Sequence, residues 1–137
     1  MRLLIFHVDA FTTEPKVRGR SKLAEDAPQP VSIEEGLVVF AACEKQDEAE
    51  PAAVAERAVA AIVDIANRLG ARTVVLHSFS HLFVELATAA VAREILDAMQ
   101  RRLEERGYSV SQTAFGYFNR FEMRAKGHPL SRVARQV

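Results

Sequence analysis

The sequence predicts an α/β fold: a single domain with a mixed β-sheet and two long helices. Apolar runs at residues 2–8, 37–43 and 73–77 are short and rich in Leu, Val, Ile and Phe, as in buried strands. Two longer stretches, residues 51–69 and the segment ending at Arg106, repeat apolar residues at helical spacing. This alternation of strands and helices is typical of an α/β domain.

Length and composition indicate one ordinary soluble domain covering residues 1–137, with 49% hydrophobic and 26% charged residues. No apolar run approaches the ~18 residues of a membrane span, and the N-terminus turns polar too soon for a signal peptide. The single Cys43 excludes an internal disulfide and favours a cytoplasmic location. Net charge is zero, but residues 101–137 carry eight Arg or Lys against three acids. That excess fits a polyanionic partner, although surface salt balance explains it more simply.

The first strand ends in His7-Val8-Asp9, which places His7 and Asp9 on one face. They form either a polar pair at a pocket rim or a capped strand end. Residues 10–35 are irregular, with an edge strand expected at 12–17, since Pro15 is tolerated there. Basic residues alternate along the arm that follows, either to contact phosphates or as a solvated loop: Lys16, Arg18, Arg20 and Lys22.

The second strand, Leu37 to Cys43, is apolar on both faces and therefore central. It ends in the small residues Ala41, Ala42 and Cys43, which either leave room for a ligand or allow close packing under a helix. The first helix begins at Pro51 and stops at Gly70.

The C-terminal part predicts a second helix ending at Gly107, with Thr88 as a break near its start. Residues 108–115 and 117–124 are predicted to form two antiparallel strands joined near Gly116. A short helical tail is expected from Leu130 to Arg135.

The turn after strand 73–77 is the strongest candidate site, because ligands bind at the carboxyl ends of strands in α/β proteins. We expect this turn to open a helix, so that His77, Ser78, Ser80 and His81 lie beside free backbone N–H groups. His81 is either a helix-capping residue or one that orients a substrate oxygen. No GxSxG, P-loop, GxGxxG or CxxC motif is present, and no ligand cluster with zinc spacing is evident.

Several segments, in order and over essentially the whole chain, resemble the N-terminal editing domain of archaeal threonyl-tRNA synthetase. They are Met1-Arg-Leu-Leu-Ile-Phe-His-Val-Asp9, the strand 37–45, Ser78-Phe-Ser-His-Leu82, Phe115-Gly-Tyr-Phe118 and Lys126-Gly-His-Pro-Leu130. The resemblance implies a D-aminoacyl-tRNA deacylase-like fold, a homodimer, and hydrolysis of L-serine wrongly attached to tRNA(Thr). The partners it implies are the acceptor end of that tRNA and a synthetase catalytic domain, in cis or in trans. No cofactor and no metal are expected.

The expected mechanism places the ester carbonyl against the backbone N–H groups of Phe79, Ser80 and His81. Water attacks with help from a hydroxyl of the tRNA's terminal ribose, as the resemblance implies, and His81 positions the substrate. The further substrate-binding residues that we expect are Cys43, Ser78, Phe118, Asn119 and His7.

The sequence departs from the family where a Tyr-Lys pair often occurs, at Phe118 and Asn119, and where a glutamate often occurs, at Arg132. Two alternatives therefore stay open: a D-aminoacyl-tRNA deacylase, and a non-catalytic tRNA-binding or dimerisation module. Whether the chain is free-standing or part of a longer synthetase also stays open.

Overall fold

The computed structural model describes residues 1–81 and 85–137. The end of the Ser78–Leu82 segment lies outside the described residues. The described residues form seven strands and two α-helices in one sheet-and-helix domain. The strands are β1 (Arg2–Arg18), β2 (Val31–Ile33), β3 (Gly36–Ala42), β4 (Thr73–Ser78), β5 (Ser109–Gln112), β6 (Tyr117–Ala125) and β7 (Arg132–Gln136), and the helices are α1 (Pro51–Leu69) and α2 (Ala89–Glu105).

The sheet is mixed, as expected, with the order β2-β1-β3-β4-β5. Strands β3, β4 and β5 are parallel, while β1 is antiparallel to each of its partners. The long β1 pairs along one edge with β3 and β2, and along the other with β7 and β6. Its irregularities fall between Val8 and Ala10 and between Pro15 and Val17. The second follows Pro15, which cannot donate to a ladder.

The two helices cover one face of the sheet. Alternate residues of the central strands, including Leu37, Val39, Val74 and Leu76, point into this helix-covered core and are almost fully buried. Each such side chain contributes about 1.5–3 kcal/mol relative to an exposed one. The opposite face holds a second cluster around Val38, Phe40 and Val75, over which the far half of β1 packs through Phe11.

Helix α1 matches its prediction, from Pro51 in the first turn to Gly70 as its C-cap. Gly70 adopts φ 68°, a left-handed conformation that glycine tolerates best. Helix α2 begins only at Ala89, with the Thr88 hydroxyl accepting from the Val91 N–H as N-cap. Residues 79–81 and 85–88 are not helical, so at these described positions the expectation of a helix opening at the turn was wrong. The remainder of the short stretch expected before Thr88 lies outside the described residues.

A strand does cover residues 12–17, as expected, but it is the second half of the continuous β1 and not a separate edge strand. Two further expectations were wrong because long-range pairing overrides local pattern. β5 and β6 do not form a hairpin: β5 adds to β4 in parallel, whereas β6 crosses to β1. The expected helical tail is strand β7, whose backbone pairs with Arg2 to Phe6 of β1. No described helix has the length and apolarity that crossing a membrane requires.

Candidate functional site

A cavity of about 310 Å³ lies at the carboxyl ends of the parallel strands. Strand β3 contributes Ala41 and Ala42, and Cys43 follows directly after its end. Strand β4 contributes Ser78, and the turn beyond it contributes Ser80 and His81. The end of the connection from β5 to β6 and the start of β6, together residues 114–118, form another wall. The site thus sits where the end of each strand leaves backbone groups without ladder partners.

The β3 wall is made of small side chains. Ala41, Ala42 and Cys43 line the cavity, and all three are buried. Burial raises the pKa of the Cys43 thiol to about 12, with the nearby Asp47 carboxylate adding to the shift. A thiol in this state is protonated at neutral pH and is a poor nucleophile. Cys43 therefore limits the size of the cavity rather than reacting with its contents.

The 78–81 turn is fixed to β3 by its backbone. The Phe79 N–H donates to the Ala41 carbonyl oxygen over 2.9 Å. This donor is consequently engaged and is not free to bind an ester oxygen. The N–H groups of Ser80 and His81 have no hydrogen-bond partner among the described residues. Of the three backbone donors considered from sequence, these two remain available at the cavity.

His81 is an exposed residue of the turn and not part of a helix. Its ring lies between two aromatic side chains, with centroids 5.4 Å from Phe79 and 6.2 Å from Phe118. Phe118 is 57% exposed, which is unusual for so large an apolar ring. The structure therefore brings His81 and Phe118 together at the cavity, as members of the same set of lining residues as Ser78 and Cys43.

Asn119 supports the cavity wall from behind. Its side-chain N–H₂ group donates to the carbonyl oxygens of Ala114, at 3.1 Å, and Tyr117, at 3.2 Å. Its Oδ1 atom is buried and accepts no hydrogen bond from a described residue. Asn119 thus ties two points of the 114–118 segment together, although it does not line the cavity itself.

His7 is not brought to this cavity. It pairs with Leu37 at the start of β3, whereas the cavity lies at the end of that strand. The Nδ1 atom of His7 is 2.9 Å from Nε2 of His128, and its Nε2 is 3.3 Å from a carboxylate oxygen of Glu35. Burial lowers the pKa of His7, and the Lys126 ammonium lowers it further.

Asp9 and Arg132, also singled out from the sequence, do not line the cavity. Asp9 binds Lys126, whose ammonium holds the pKa of this carboxyl below its usual range. Arg132, where the family often has glutamate, is exposed on β7 opposite Phe6. Across residues 1–81 and 85–137, no group of three or more His, Cys, Asp and Glu side chains is placed to hold a metal ion.

The loop after β1 forms a wall that was not identified from sequence. Gly19, Arg20 and Ser21 line the cavity, and the Gly19 N–H donates to the Gly116 carbonyl oxygen over 2.7 Å. A Cβ atom at Gly19 would lie 2.8 Å from that oxygen, so only glycine permits this approach. Gly19 and Gly116 were the signal in the sequence that could have identified this wall. They lie almost a hundred residues apart in the chain, so sequence alone does not show that they are in contact.

Residues 1–137 match the family described as the archaea-specific editing domain of threonyl-tRNA synthetase. The chain is 43% identical over 139 residues to the threonine–tRNA ligase of Methanopyrus kandleri and 38% identical over 144 residues to that of Thermococcus gammatolerans. Both alignments cover 100% of this chain and 22% of the relative, so the chain spans about a fifth of their length.

Among solved structures, the chain resembles the c-Myc DNA Unwinding Element Binding Protein, with a TM-score of 0.70 and 10% identity. The superposition covers 100% of this chain and 99% of that one. At this identity the likeness bears on the fold alone, and it confirms the expected single-domain α/β class with a mixed sheet and two helices. Together with the whole-length sequence match, this shows that the chain belongs to the archaeal threonyl-tRNA synthetase editing-domain family.

Proposed function

We propose that this domain hydrolyses the ester between L-serine and tRNA(Thr), and so removes serine from misacylated tRNA. The observation that carries the proposal is the composition of the cavity. Its described lining combines small side chains, free backbone N–H groups at Ser80 and His81, and no carboxylate. Such a site selects by size and stabilises a developing oxyanion without a protein nucleophile.

The size of the cavity gives a reason for serine selectivity. Serine and threonine differ by one methyl group, which a binding pocket distinguishes by only about 1–3 kcal/mol. A synthetase site that accepts threonine therefore also accepts some serine, and a second, smaller site must remove it. Ala41, Ala42 and Cys43 are buried; the first two pair with neighbouring strands, and the carbonyl oxygen of Cys43 accepts from the Ala87 N–H. This wall therefore yields little to an additional methyl.

In the proposed reaction, a water oxygen adds to the ester carbonyl carbon, and the carbonyl oxygen becomes negative. The N–H groups of Ser80 and His81 donate to that oxygen. The carbon–oxygen bond to the ribose then breaks, the ribose oxygen takes a proton, and free serine leaves. The Phe79 N–H contributes indirectly, because its bond to Ala41 fixes the turn in place.

The attacking water loses a proton, and the ribose hydroxyl next to the ester assists its transfer to the leaving ribose oxygen. The described lining offers few protein bases, since the Cys43 thiol is protonated. We assign His81 to positioning, with its ring between Phe79 and Phe118 next to the ester. Ser78 and Phe118 contact the aminoacyl end, and Asn119 holds the wall that bears Phe118. His7, at the other end of β3, has no part in this site.

The proposed partners are the acceptor end of tRNA(Thr) carrying serine, and the synthetase catalytic domain in cis or in trans. Action in the cytoplasm follows from those partners. We further propose a homodimer, supported by an apolar groove of about 370 Å³ on the sheet face without helices. Leu4, Phe40 and Phe79 are among its lining residues. Sedimentation velocity of the purified domain tests this, and a single monomeric species would contradict it.

The decisive experiment compares L-seryl-tRNA, L-threonyl-tRNA and a D-aminoacyl-tRNA as substrates for the purified domain at catalytic amounts. We expect multiple turnovers of the seryl ester and slower cleavage of the threonyl ester. Equal rates for serine and threonine would contradict the size argument. Preference for the D-aminoacyl ester would instead identify a D-aminoacyl-tRNA deacylase, and binding without turnover would identify a non-catalytic module.

A further inference from the structure

The loop that follows β1 brings an arginine to the proposed site. Residues 19–21 line the cavity together with Ser80 and His81. Arg20 is the single Arg or Lys among the described lining residues, and no Asp or Glu lines the cavity beside it. A cavity with this lining favours a ligand that carries negative charge close to the aminoacyl group.

Arg20 is also an uncompensated cation. The neighbouring basic residues have acidic partners: Lys16 pairs with Glu14, and Arg18 lies 3.3 Å from Asp26. Arg20 and Lys22, both exposed, form no ion pair with any residue of the described chain. The positive charge at this end of the cavity is therefore available to an external anion.

The loop holds Arg20 in a defined place. Glu25 anchors the end of the loop, because its carboxylate accepts from Arg93 at 3.1 Å and from the Phe115 N–H at 3.2 Å. The Glu25 carbonyl accepts from the Tyr117 hydroxyl over 2.9 Å. At the other end, Gly19 is bonded to Gly116. An arginine presented from a segment fixed at both ends loses less freedom on binding than one on a free arm.

We propose that Arg20 binds the 5′-phosphate of the terminal nucleotide of the tRNA. This inference rests on the proposed function, because it takes the serine ester to lie in the cavity. In an aminoacylated nucleotide the ester and the 5′-phosphate are attached to the same ribose, so a cation at the cavity mouth is close to that phosphate. The planar guanidinium group binds phosphate oxygens through paired, charge-assisted hydrogen bonds. Lys22 adds positive potential from the same loop.

The test uses two stable analogues in which an amide replaces the ester: 3′-serylamino-3′-deoxyadenosine and its 5′-phosphate. We expect the wild-type protein to bind the phosphorylated analogue about tenfold more tightly in calorimetry. Arg20→Gln should remove that preference, so that the two analogues bind with similar affinity. Arg68→Gln is the matched control. Arg68 is an exposed arginine at the end of α1, close to the start of β4, whereas the cavity lies at the opposite end of that strand. This control should keep the tenfold preference.

The salt dependence gives a second readout on tRNA itself. Each phosphate contact to a single strand contributes about 0.7 to the slope of log affinity against log salt concentration. Arg20→Gln should lower this slope by about that amount, whereas Arg68→Gln should not. A wild-type protein that binds both analogues equally or binds neither, or an Arg20→Gln protein that keeps the preference, would overturn the assignment.

The two proposals fail in different ways. Turnover of seryl-tRNA without any phosphate preference would remove the Arg20 site and leave the hydrolytic function intact. A phosphate preference that depends on Arg20, without turnover of seryl-tRNA, would support the Arg20 site and contradict the hydrolytic function.

Discussion

The side-chain amide of Asn119 donates to the carbonyl oxygen of Ala114 over 3.1 Å and thereby closes the wall of the cavity from behind. The same nitrogen also binds the carbonyl of Tyr117. Two carbonyl acceptors therefore face one donor group. We propose that Asn119 holds the wall in shape as a hydrogen-bond donor.

Replacing Asn119 tests this role. Asn119→Ala removes both hydrogen bonds and should lower the free energy of unfolding by about 1–3 kcal/mol. Asn119→Asp should cost more, because a carboxylate would face the two carbonyl oxygens that now accept from the amide. Urea unfolding measures both variants, with the exposed neighbour Arg120→Gln as the control. Equal stability of the Ala and Asp variants would contradict the assigned donor role.

His81→Ala should slow seryl-tRNA hydrolysis only modestly, by about tenfold or less, if the residue positions the ester as proposed. A general base typically contributes about 10²–10⁴-fold. Single-turnover rates at several pH values separate the two roles, since loss of a base would also remove a limb of the pH–rate profile. A complete loss of activity would assign the base role to His81.

Cys43 sets the size of the cavity, so its replacement should alter selectivity. Cys43→Ala enlarges the site, and we expect the ratio of seryl to threonyl cleavage to fall by about tenfold, within the range that one methyl group supplies. Cys43→Ser is nearly isosteric and should keep both rate and selectivity, since the buried thiol is protonated and unreactive. Deacylation rates of the two charged tRNAs provide the measurement. An inactive Ser variant with an intact fold would point to a nucleophilic thiol.

His77 should make stability depend on pH. Burial lowers its pKa from 6.5 to about 4, with the nearby His81 as a smaller cause. Between these values the unfolded chain binds more protons than the folded one, so stability increases with pH. The contribution, about 3 kcal/mol, is fully present above pH 6.5 and is lost as the pH falls towards 4.

Urea unfolding at pH 7 and pH 4.5 measures this dependence. His77→Gln should flatten it, whereas the exposed His81→Gln should retain most of it. Part of the dependence should remain in both variants, because burial also lowers the pKa of His7. An unchanged dependence in His77→Gln would show that other groups control the acid response.

Gly116 permits the close approach of the loop after β1. Its φ is 78°, and an added Cβ would lie 2.8 Å from the Cα atom of Ala24. Gly116→Ala should therefore lower the free energy of unfolding by about 2 kcal/mol or more and reduce seryl-tRNA hydrolysis. Gly127→Ala is the matched control, because no atom lies within 4 Å of its added Cβ. Thermal unfolding compares them, and equal melting temperatures would contradict the packing argument.

Local sequence determined the elements whose patterns are strongest. The bounds of α1 follow from Pro51, the apolar stripe and Gly70, because each acts within a few residues. The buried runs that became β3 and β4 were equally clear, since parallel strands covered on both faces must be apolar throughout. These two strands were enough to place the candidate site at their carboxyl ends, around Cys43 and Ser80.

The tertiary structure decided what no local pattern encodes. Strand β7 was taken for a helix, because its short pattern is ambiguous until it pairs with β1. The sequence predicted that the Phe79 N–H is a free donor, but in the structure it donates to the Ala41 carbonyl oxygen. Arg20 lies at the cavity because the adjacent Gly19 is hydrogen-bonded to Gly116. Each of these contacts joins residues far apart in the chain, and the free energy that forms them comes from packing the whole domain. The sequence by itself therefore determined the family, the central strands and the first helix, whereas folding decided which backbone donors and which charges surround the cavity.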